Sequence, residues 1–175
     1  SYRKFVVTCT APSKTFNLAG LQVSNIFIPD DALRRKFEQA VAASGYSQLN
    51  TMGLVACEAA YRYGEEWYDA VKAYIRENLT YAQHFLEEQI PQVKAVKPEG
   101  TYLLWVDFRS LGLSRKELEE LIVKKAGLWL DSGDIFGAAG RGFERNNVAC
   151  PRSVLTEALE RLARVVREKE PIVCK

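Results

Sequence analysis

The sequence contains a single histidine, His84, and four cysteines that stand far apart. The cysteines are Cys9, Cys57, Cys150 and Cys174. They form no Cys-x-x-Cys pair, so neither a zinc knuckle nor a dithiol redox site is expected, and we predict free thiols. With only one histidine, neither a catalytic triad nor a multi-histidine metal site is expected.

The sequence also has little excess charge of either sign and lacks long apolar runs. Lysine and arginine total 24 against 22 acidic residues, which leaves a formal charge of +2. A charge so close to balance favours neither nucleic acid nor an anionic membrane as a partner. No apolar run approaches the roughly 18 residues of a membrane span, and the first residues lack the apolar segment of a signal peptide. We therefore expect a cytoplasmic protein without nucleic-acid or membrane partners.

What is present is an ordinary globular composition, with 47% hydrophobic and 26% charged residues. At 175 residues the chain suits one domain or two small ones. It begins at Ser1 without an initiator methionine and enters an apolar run almost at once. We therefore expect a segment of a longer polypeptide.

The first part of the chain predicts one strand and two helices. Residues 5–9 (Phe-Val-Val-Thr-Cys) form a short apolar run that predicts a buried strand. Pro29-Asp30-Asp31 opens a helix that Gly45 ends, and a second helix is predicted from about Asn50 to Tyr63.

A long helix is predicted between Gly64 and Pro91, because apolar residues keep helical spacing across this stretch. We interpret its aromatic residues as part of the core. They are Trp67, Tyr68, Tyr74, Tyr81 and Phe85. At about 24 residues the helix is long for a globular protein, so we predict that it links two domains, residues 1–66 and 67–175.

Beyond Pro91 short strands and helices follow one another. Short strands are predicted at residues 93–97, 101–108, 128–130 and 147–150, the first two around a Pro98-Glu99-Gly100 turn. Ser114 and Glu117 form a capping box that opens a helix, and the last helix runs from about Ser153 to Arg167. The predicted fold class is α/β followed by a compact α+β unit.

Lys14 is the first candidate functional residue, because it follows the predicted strand in a loop, where sheets present catalytic groups. We expect Pro12 and Phe16 to shield its amine, and desolvation disfavours the charged form. A neutral lysine is a nucleophile that forms Schiff bases with carbonyl compounds. The alternative from the pattern alone is a surface lysine at a strand end.

Arg152 is the second candidate, because it follows Pro151 at the start of the last helix. A planar guanidinium there could bind a substrate carboxylate with two parallel hydrogen bonds. The alternative is an exposed arginine or a surface salt bridge.

We interpret Cys150 as a small packed residue, since no base accompanies it. The glycine-rich loop 137–142 lacks the strand, loop and helix order of a nucleotide site, so we expect it to shape a pocket edge.

Three motifs spread over nearly the whole chain resemble one family in their order and content. They are Ala-Pro-Ser-Lys-Thr-Phe-Asn-Leu-Ala-Gly-Leu at 11–21, Pro-Glu-Gly-Thr-Tyr-Leu at 98–103 with Trp105 and Asp107, and Phe-x-Arg-x-Asn-x-Ala-Cys-Pro-Arg at 143–152. They resemble the pyridoxal-phosphate enzymes of fold type I in the class I/II aminotransferase superfamily. Within it the sequence is most similar to the cystathionine β-lyase branch of MalY/PatB type.

The resemblance implies roles for particular residues. Lys14 would form the Schiff base with pyridoxal 5'-phosphate and move the substrate's α-proton, and Arg152 would bind the substrate's α-carboxylate. Thr10 or Ser13 would touch the cofactor phosphate. Many aminotransferases of this fold have serine three residues before the lysine and arginine eight after it, whereas this chain has Ala11 and Gln22. These departures favour the lyase branch.

The resemblance also implies the fold and the reaction. The chain would comprise the end of the large cofactor-binding domain, a linking helix and the small C-terminal domain of a homodimeric enzyme. The expected function is a carbon–sulfur β-lyase acting on cystathionine-like or cysteine-like amino acids, with an aminotransferase as the alternative. A further alternative is an inactive fragment or an interaction module. The family's upstream cofactor-binding segment cannot be identified here, so we expect this chain alone to be inactive and to bind the cofactor poorly or not at all.

Overall fold

The structure is a computed structural model that describes residues 2–46 and 48–168. Cys174 of the predicted free thiols lies outside these residues. The chain divides into two compact units, Ser1–Val71 and Lys72–Lys175. None of the helices in the described part is long and apolar enough to cross a membrane.

The first unit contains a two-stranded antiparallel sheet and two capped helices. Strand β1 (Thr8–Thr10) pairs with β2 (Asn25–Phe27). Helix α1 (Asp31–Ala43) begins where the Asp30 side chain accepts a hydrogen bond from the Leu33 N–H at 2.9 Å. Helix α2 (Thr51–Tyr63) begins in the same way, with the Asn50 side chain accepting from the Met52 N–H at 3.0 Å. The two predicted helices are confirmed.

The predicted buried strand at residues 5–9 is wrong in extent and in burial. The strand covers only Thr8–Thr10, and all three residues are exposed. Phe5, Val6 and Val7 are exposed as well. The apolar run predicts burial, but β1 pairs only with β2 in a sheet of two strands, so the described residues leave this run uncovered.

Helix α3 (Glu65–Gln89) confirms the predicted long helix. Its first turns belong to the first unit and the rest to the second. Asn78, Ala82 and Leu86 are buried at spacings of four residues, which defines the inward face. The interpretation of the aromatic residues as core is wrong for Trp67, Tyr68 and Tyr74, which are exposed, whereas Tyr81 and Phe85 pack against the core of the second unit.

The second unit is built on an antiparallel sheet whose strand order is β3-β4-β6-β5. The strands are β3 (Lys94–Ala95), β4 (Leu103–Asp107), β5 (Asp131–Ser132) and β6 (Phe143–Asn147). The helices are α4 (Arg115–Glu119), which continues as a π-helical segment over Glu120–Lys125, and α5 (Arg152–Arg167). The predicted hairpin, the capping box and the last helix are confirmed. Side chains of the sheet, α3, α4 and α5 form one core.

Two predicted strands lie at other positions. Residues 128–130 are not a strand, because the Leu128 N–H donates to the Ile122 carbonyl at 3.0 Å and extends the helix end instead. Pairing with β6 starts only at Asp131. The strand predicted at 147–150 runs from Phe143 to Asn147, where the Asn147 side chain accepts from the Ala149 N–H at 2.9 Å and ends the strand in a turn.

Candidate functional site

Lys14 lies on a tight turn that follows β1 directly. The Pro12 carbonyl accepts a hydrogen bond from the Phe16 N–H at 2.9 Å, and the Ser13 carbonyl accepts from the Leu18 N–H at 3.1 Å. These two bonds fold the chain so that Lys14 stands at the bend with its side chain exposed. The amine is therefore accessible to a carbonyl compound from solution.

The predicted shielding of Lys14 by Pro12 and Phe16 is wrong. Pro12 is fully buried beneath the turn. The Phe16 ring lies 5.8 Å from the Tyr61 ring in an edge-on contact and 5.9 Å from the Trp67 ring in a stacked contact. These aromatic contacts draw Phe16 onto α2 and α3, where it anchors the turn and leaves Lys14 uncovered.

The two hydroxyl residues predicted to touch the cofactor phosphate precede Lys14 in the chain, Thr10 by four residues and Ser13 by one. Thr10 is the last residue of β1, opposite Asn25, and is exposed. Ser13 is half-buried in the turn. Hydroxyl groups beside an exposed amine are suited to an anionic ligand, because the hydroxyls donate hydrogen bonds and the amine carries positive charge when protonated.

Arg152 is the first residue of α5, and three side chains of α3 contact it. Its backbone N–H donates to the Tyr74 hydroxyl at 2.6 Å, and its Nε donates to the Asn78 Oδ1 at 2.7 Å. Its guanidinium lies 4.5 Å from the centre of the Tyr81 ring. Within the described residues no carboxylate pairs with Arg152, so the structure does not favour the alternative of a surface salt bridge.

Asn78 is a residue that the sequence analysis missed. It is completely buried, and its Nδ2 donates to the carbonyls of Val148 and Cys150, both at 2.9 Å. A signal for it exists in the sequence, because Asn78 occupies the same helical face as the apolar Ala82 and Leu86. A polar residue at a core position of an amphipathic helix needs buried partners.

Cys150 packs against the core of the second unit, as predicted. Burial raises the pKa of its thiol, which disfavours the thiolate that a nucleophile needs. Cys9, Cys57 and Cys150 are free thiols. The described residues contain no cluster of three His, Cys, Asp or Glu side chains that could hold a metal ion.

The chain matches the family of aminotransferases of class I and II over residues 2–162. It is 44% identical over 156 residues to cystathionine beta-lyase PatB of Bacillus subtilis (strain 168). That alignment covers 89% of this chain and 40% of PatB. It is 31% identical over 159 residues to protein MalY of Escherichia coli (strain K12), and this alignment covers 90% of this chain and 41% of MalY.

Among solved structures, the crystal structure of cystalysin from Treponema denticola, which contains a pyridoxal 5'-phosphate cofactor, superposes with a TM-score of 0.91 at 40% identity. The superposition covers 96% of this chain and 43% of cystalysin, and it confirms the predicted fold. The chain thus spans about 40% of the length of the relatives it matches. Because the family match extends over nearly the whole chain, the chain belongs to the class I and II aminotransferase family.

Proposed function

We propose that the full-length protein carrying this chain is a pyridoxal-phosphate-dependent carbon–sulfur β-lyase that acts on cystathionine-like or cysteine-like amino acids. The observation that carries the proposal is the 44% identity to a cystathionine beta-lyase over 89% of the chain. The exposed amine of Lys14 supports it, because this chemistry needs a lysine that an aldehyde can reach.

The residues around Lys14 fit one end of pyridoxal 5'-phosphate. The Lys14 amine would hold the aldehyde carbon, and the hydroxyl groups of Thr10 and Ser13 would donate hydrogen bonds to the phosphate. The chain has Gln22 rather than a cation at the end of the following helical turn. Further phosphate contacts would come from the remainder of the full-length protein. When bound, the cofactor supplies an electron sink for the substrate's α-carbon.

Arg152 would bind the substrate's α-carboxylate through its two Nη atoms. A guanidinium forms two parallel hydrogen bonds with a carboxylate, and these fix the orientation of the amino acid. Once the substrate's amine has replaced it at the aldehyde carbon, the freed Lys14 Nζ would accept the proton from the α-carbon, and the thiolate would leave from the β-carbon. Hydrolysis of the remaining three-carbon fragment yields pyruvate and ammonia.

An aminotransferase is the second candidate, because the family that the chain belongs to is named for that activity. Ala11 and Gln22 favour the lyase, since the predicted aminotransferase pattern has serine and arginine at these positions. A third candidate is an inactive fragment or an interaction module. We expect the enzyme to be a cytoplasmic homodimer with a domain boundary near residue 66, and we expect this chain alone to be inactive.

The experiment is a pyruvate assay on the full-length protein loaded with pyridoxal 5'-phosphate, with cystathionine and cysteine as substrates and no 2-oxo acid. The lyase proposal expects continuous pyruvate release over many turnovers. A protein that turns over only after a 2-oxo acid is added is an aminotransferase, and the lyase proposal then fails. Lys14→Ala is the control that should abolish either reaction.

A further inference from the structure

We infer that Asn78 is a positioning residue that, together with Tyr74 and Tyr81, holds Arg152 so that only its two Nη atoms are presented to the substrate's α-carboxylate. This inference rests on the carboxylate-binding role proposed for Arg152. It assigns a function to the buried polar residue of the linking helix, which the proposed chemistry does not otherwise use.

The three side chains belong to one face of α3. They are separated by four and three residues, which places them above one another along the helix. Tyr74 contacts the backbone of Arg152, Asn78 contacts its Nε, and Tyr81 covers the guanidinium plane. One helix therefore fixes both ends of the arginine side chain.

The hydrogen bonds leave the Asn78 amide only one orientation. Its neighbours Val148 and Cys150 present carbonyl oxygens, which only accept, so Nδ2 must face them. The Nε of Arg152 only donates, so the oxygen of the amide must face it. Rotating the amide by 180° would break all three bonds inside a site that water does not reach.

Asn78 and Tyr81 together determine which edge of the guanidinium is free. A carboxylate binds an arginine either along the Nε and Nη2 edge or across the Nη1 and Nη2 end. Asn78 occupies the Nε donor, and the Tyr81 ring covers one face. Neither Nη1 nor Nη2 of Arg152 bonds to any residue that the structure describes. The end with two Nη atoms is therefore the edge available for the carboxylate.

Hydrogen bonds from α3 hold the backbone at Arg152 in place as well. The Tyr74 hydroxyl accepts from its N–H at the first residue of α5, and Asn78 holds the carbonyls of Val148 and Cys150 that precede it. An arginine fixed at its backbone, its Nε and its plane loses less side-chain freedom when it binds a ligand. Asn78 therefore contributes to affinity without touching the substrate.

The test compares two ligands that differ only in the carboxylate, L-norvaline and butylamine. Their dissociation constants are measured by calorimetry on the full-length protein loaded with pyridoxal 5'-phosphate. Asn78→Ala should weaken L-norvaline binding about tenfold, the typical effect of one lost hydrogen bond to a charged group, and should change butylamine binding less than twofold. Equal losses for both ligands would overturn the inference.

The second arm repeats Asn78→Ala in an Arg152→Lys background. If Asn78 acts through Arg152, the substitution has no further effect on L-norvaline in that background. Losses that multiply would show that Asn78 acts independently of Arg152 and would overturn the inference. Leu86→Ala is the matched control, because Leu86 is equally buried on the same face of α3. It should lower Tm while leaving the ratio of the two dissociation constants unchanged.

Tyr81→Leu keeps the inference testable if Asn78→Ala does not fold. Removal of the ring should weaken L-norvaline about threefold and leave butylamine unchanged, and an effect on both ligands alike would count against it. Wild-type protein could release no pyruvate and still bind L-norvaline more tightly than butylamine, with Arg152→Lys removing that difference. This result contradicts the lyase proposal alone. L-norvaline binding that is insensitive to Arg152→Lys overturns the role of Arg152 and the inference about Asn78 with it.

Discussion

Gly133 and Gly140 approach so closely that neither position accepts a side chain. A Cβ on Gly133 would lie 1.9 Å from the Gly140 carbonyl oxygen, and a Cβ on Gly140 would lie 2.1 Å from the Gly133 carbonyl oxygen. Gly133 begins and Gly140 ends the two short helical turns that connect β5 to β6. Within the predicted glycine-rich loop 137–142, Gly140 is thus packed against Gly133, whereas a Cβ at Gly137 would have nothing within 4 Å.

Gly140→Ala should destabilise the second unit by about 1 to 3 kcal/mol, the usual cost of forcing atoms into a packed site. The measurement is the free energy of unfolding in urea. Gly100→Ala is the control, since nothing lies within 4 Å of a Cβ at that position. A Gly140→Ala protein as stable as the Gly100→Ala control would show that the backbones do not approach as described.

Glu144 should make the stability of the second unit depend on pH. Burial, as the largest cause, and the charges of Asp134, Asp131 and Glu119 together raise the pKa of this carboxyl to about 7. Its unfolded value is near 4.5. Between these two values the folded state keeps a proton that the unfolded state has lost, so stability falls as pH rises from about 4.5 to about 7.

Glu144→Gln should therefore flatten the pH profile and raise stability at pH 8 by on the order of 2 kcal/mol. Urea unfolding across this pH range provides the measurement. Glu99→Gln, in an exposed turn, is the matched control and should leave the profile unchanged. The assignment fails if Glu144→Gln and wild type show the same slope.

Exposed apolar side chains on the first unit should make the 175-residue chain associate. Phe5, Val6, Val7, Ile26 and Phe27 are all exposed at or beside the two-stranded sheet. Sedimentation velocity should show association that Phe27→Lys reduces. Gln39→Lys adds the same charge on α1 and should not reduce it. A monomer at all concentrations would contradict this expectation.

The parts of the fold that were predictable have local signals. The caps at Asp30 and Asn50 and the capping box of Ser114 and Glu117 lie within a few residues of the helices they begin. Strand β5 was not predictable, because it has two residues and is defined by pairing with Arg145, which lies fourteen residues away. A two-residue strand has no periodicity to detect.

The residues of the candidate site also divide into those with a local signal in the sequence and those without one. Lys14 and Arg152 stand in recognisable local motifs, so the sequence predicts both as candidate site residues. The exposure of Lys14 depends on Phe16 packing against Tyr61, which lies far along the chain and leaves no local signal. Asn78 contacts residues about seventy positions away, so only its place on an apolar helix face could have indicated its importance.

The most direct test of the account is where pyridoxal 5'-phosphate attaches to the full-length protein. The protein is incubated with the cofactor and reduced with borohydride, and peptides are mapped by mass spectrometry. If Lys14 binds the cofactor, we expect one label per polypeptide, on the peptide that contains Lys14, and no label in Lys14→Ala. A label on another lysine, or one spread over many lysines, would contradict the assignment of Lys14 as the cofactor-binding residue.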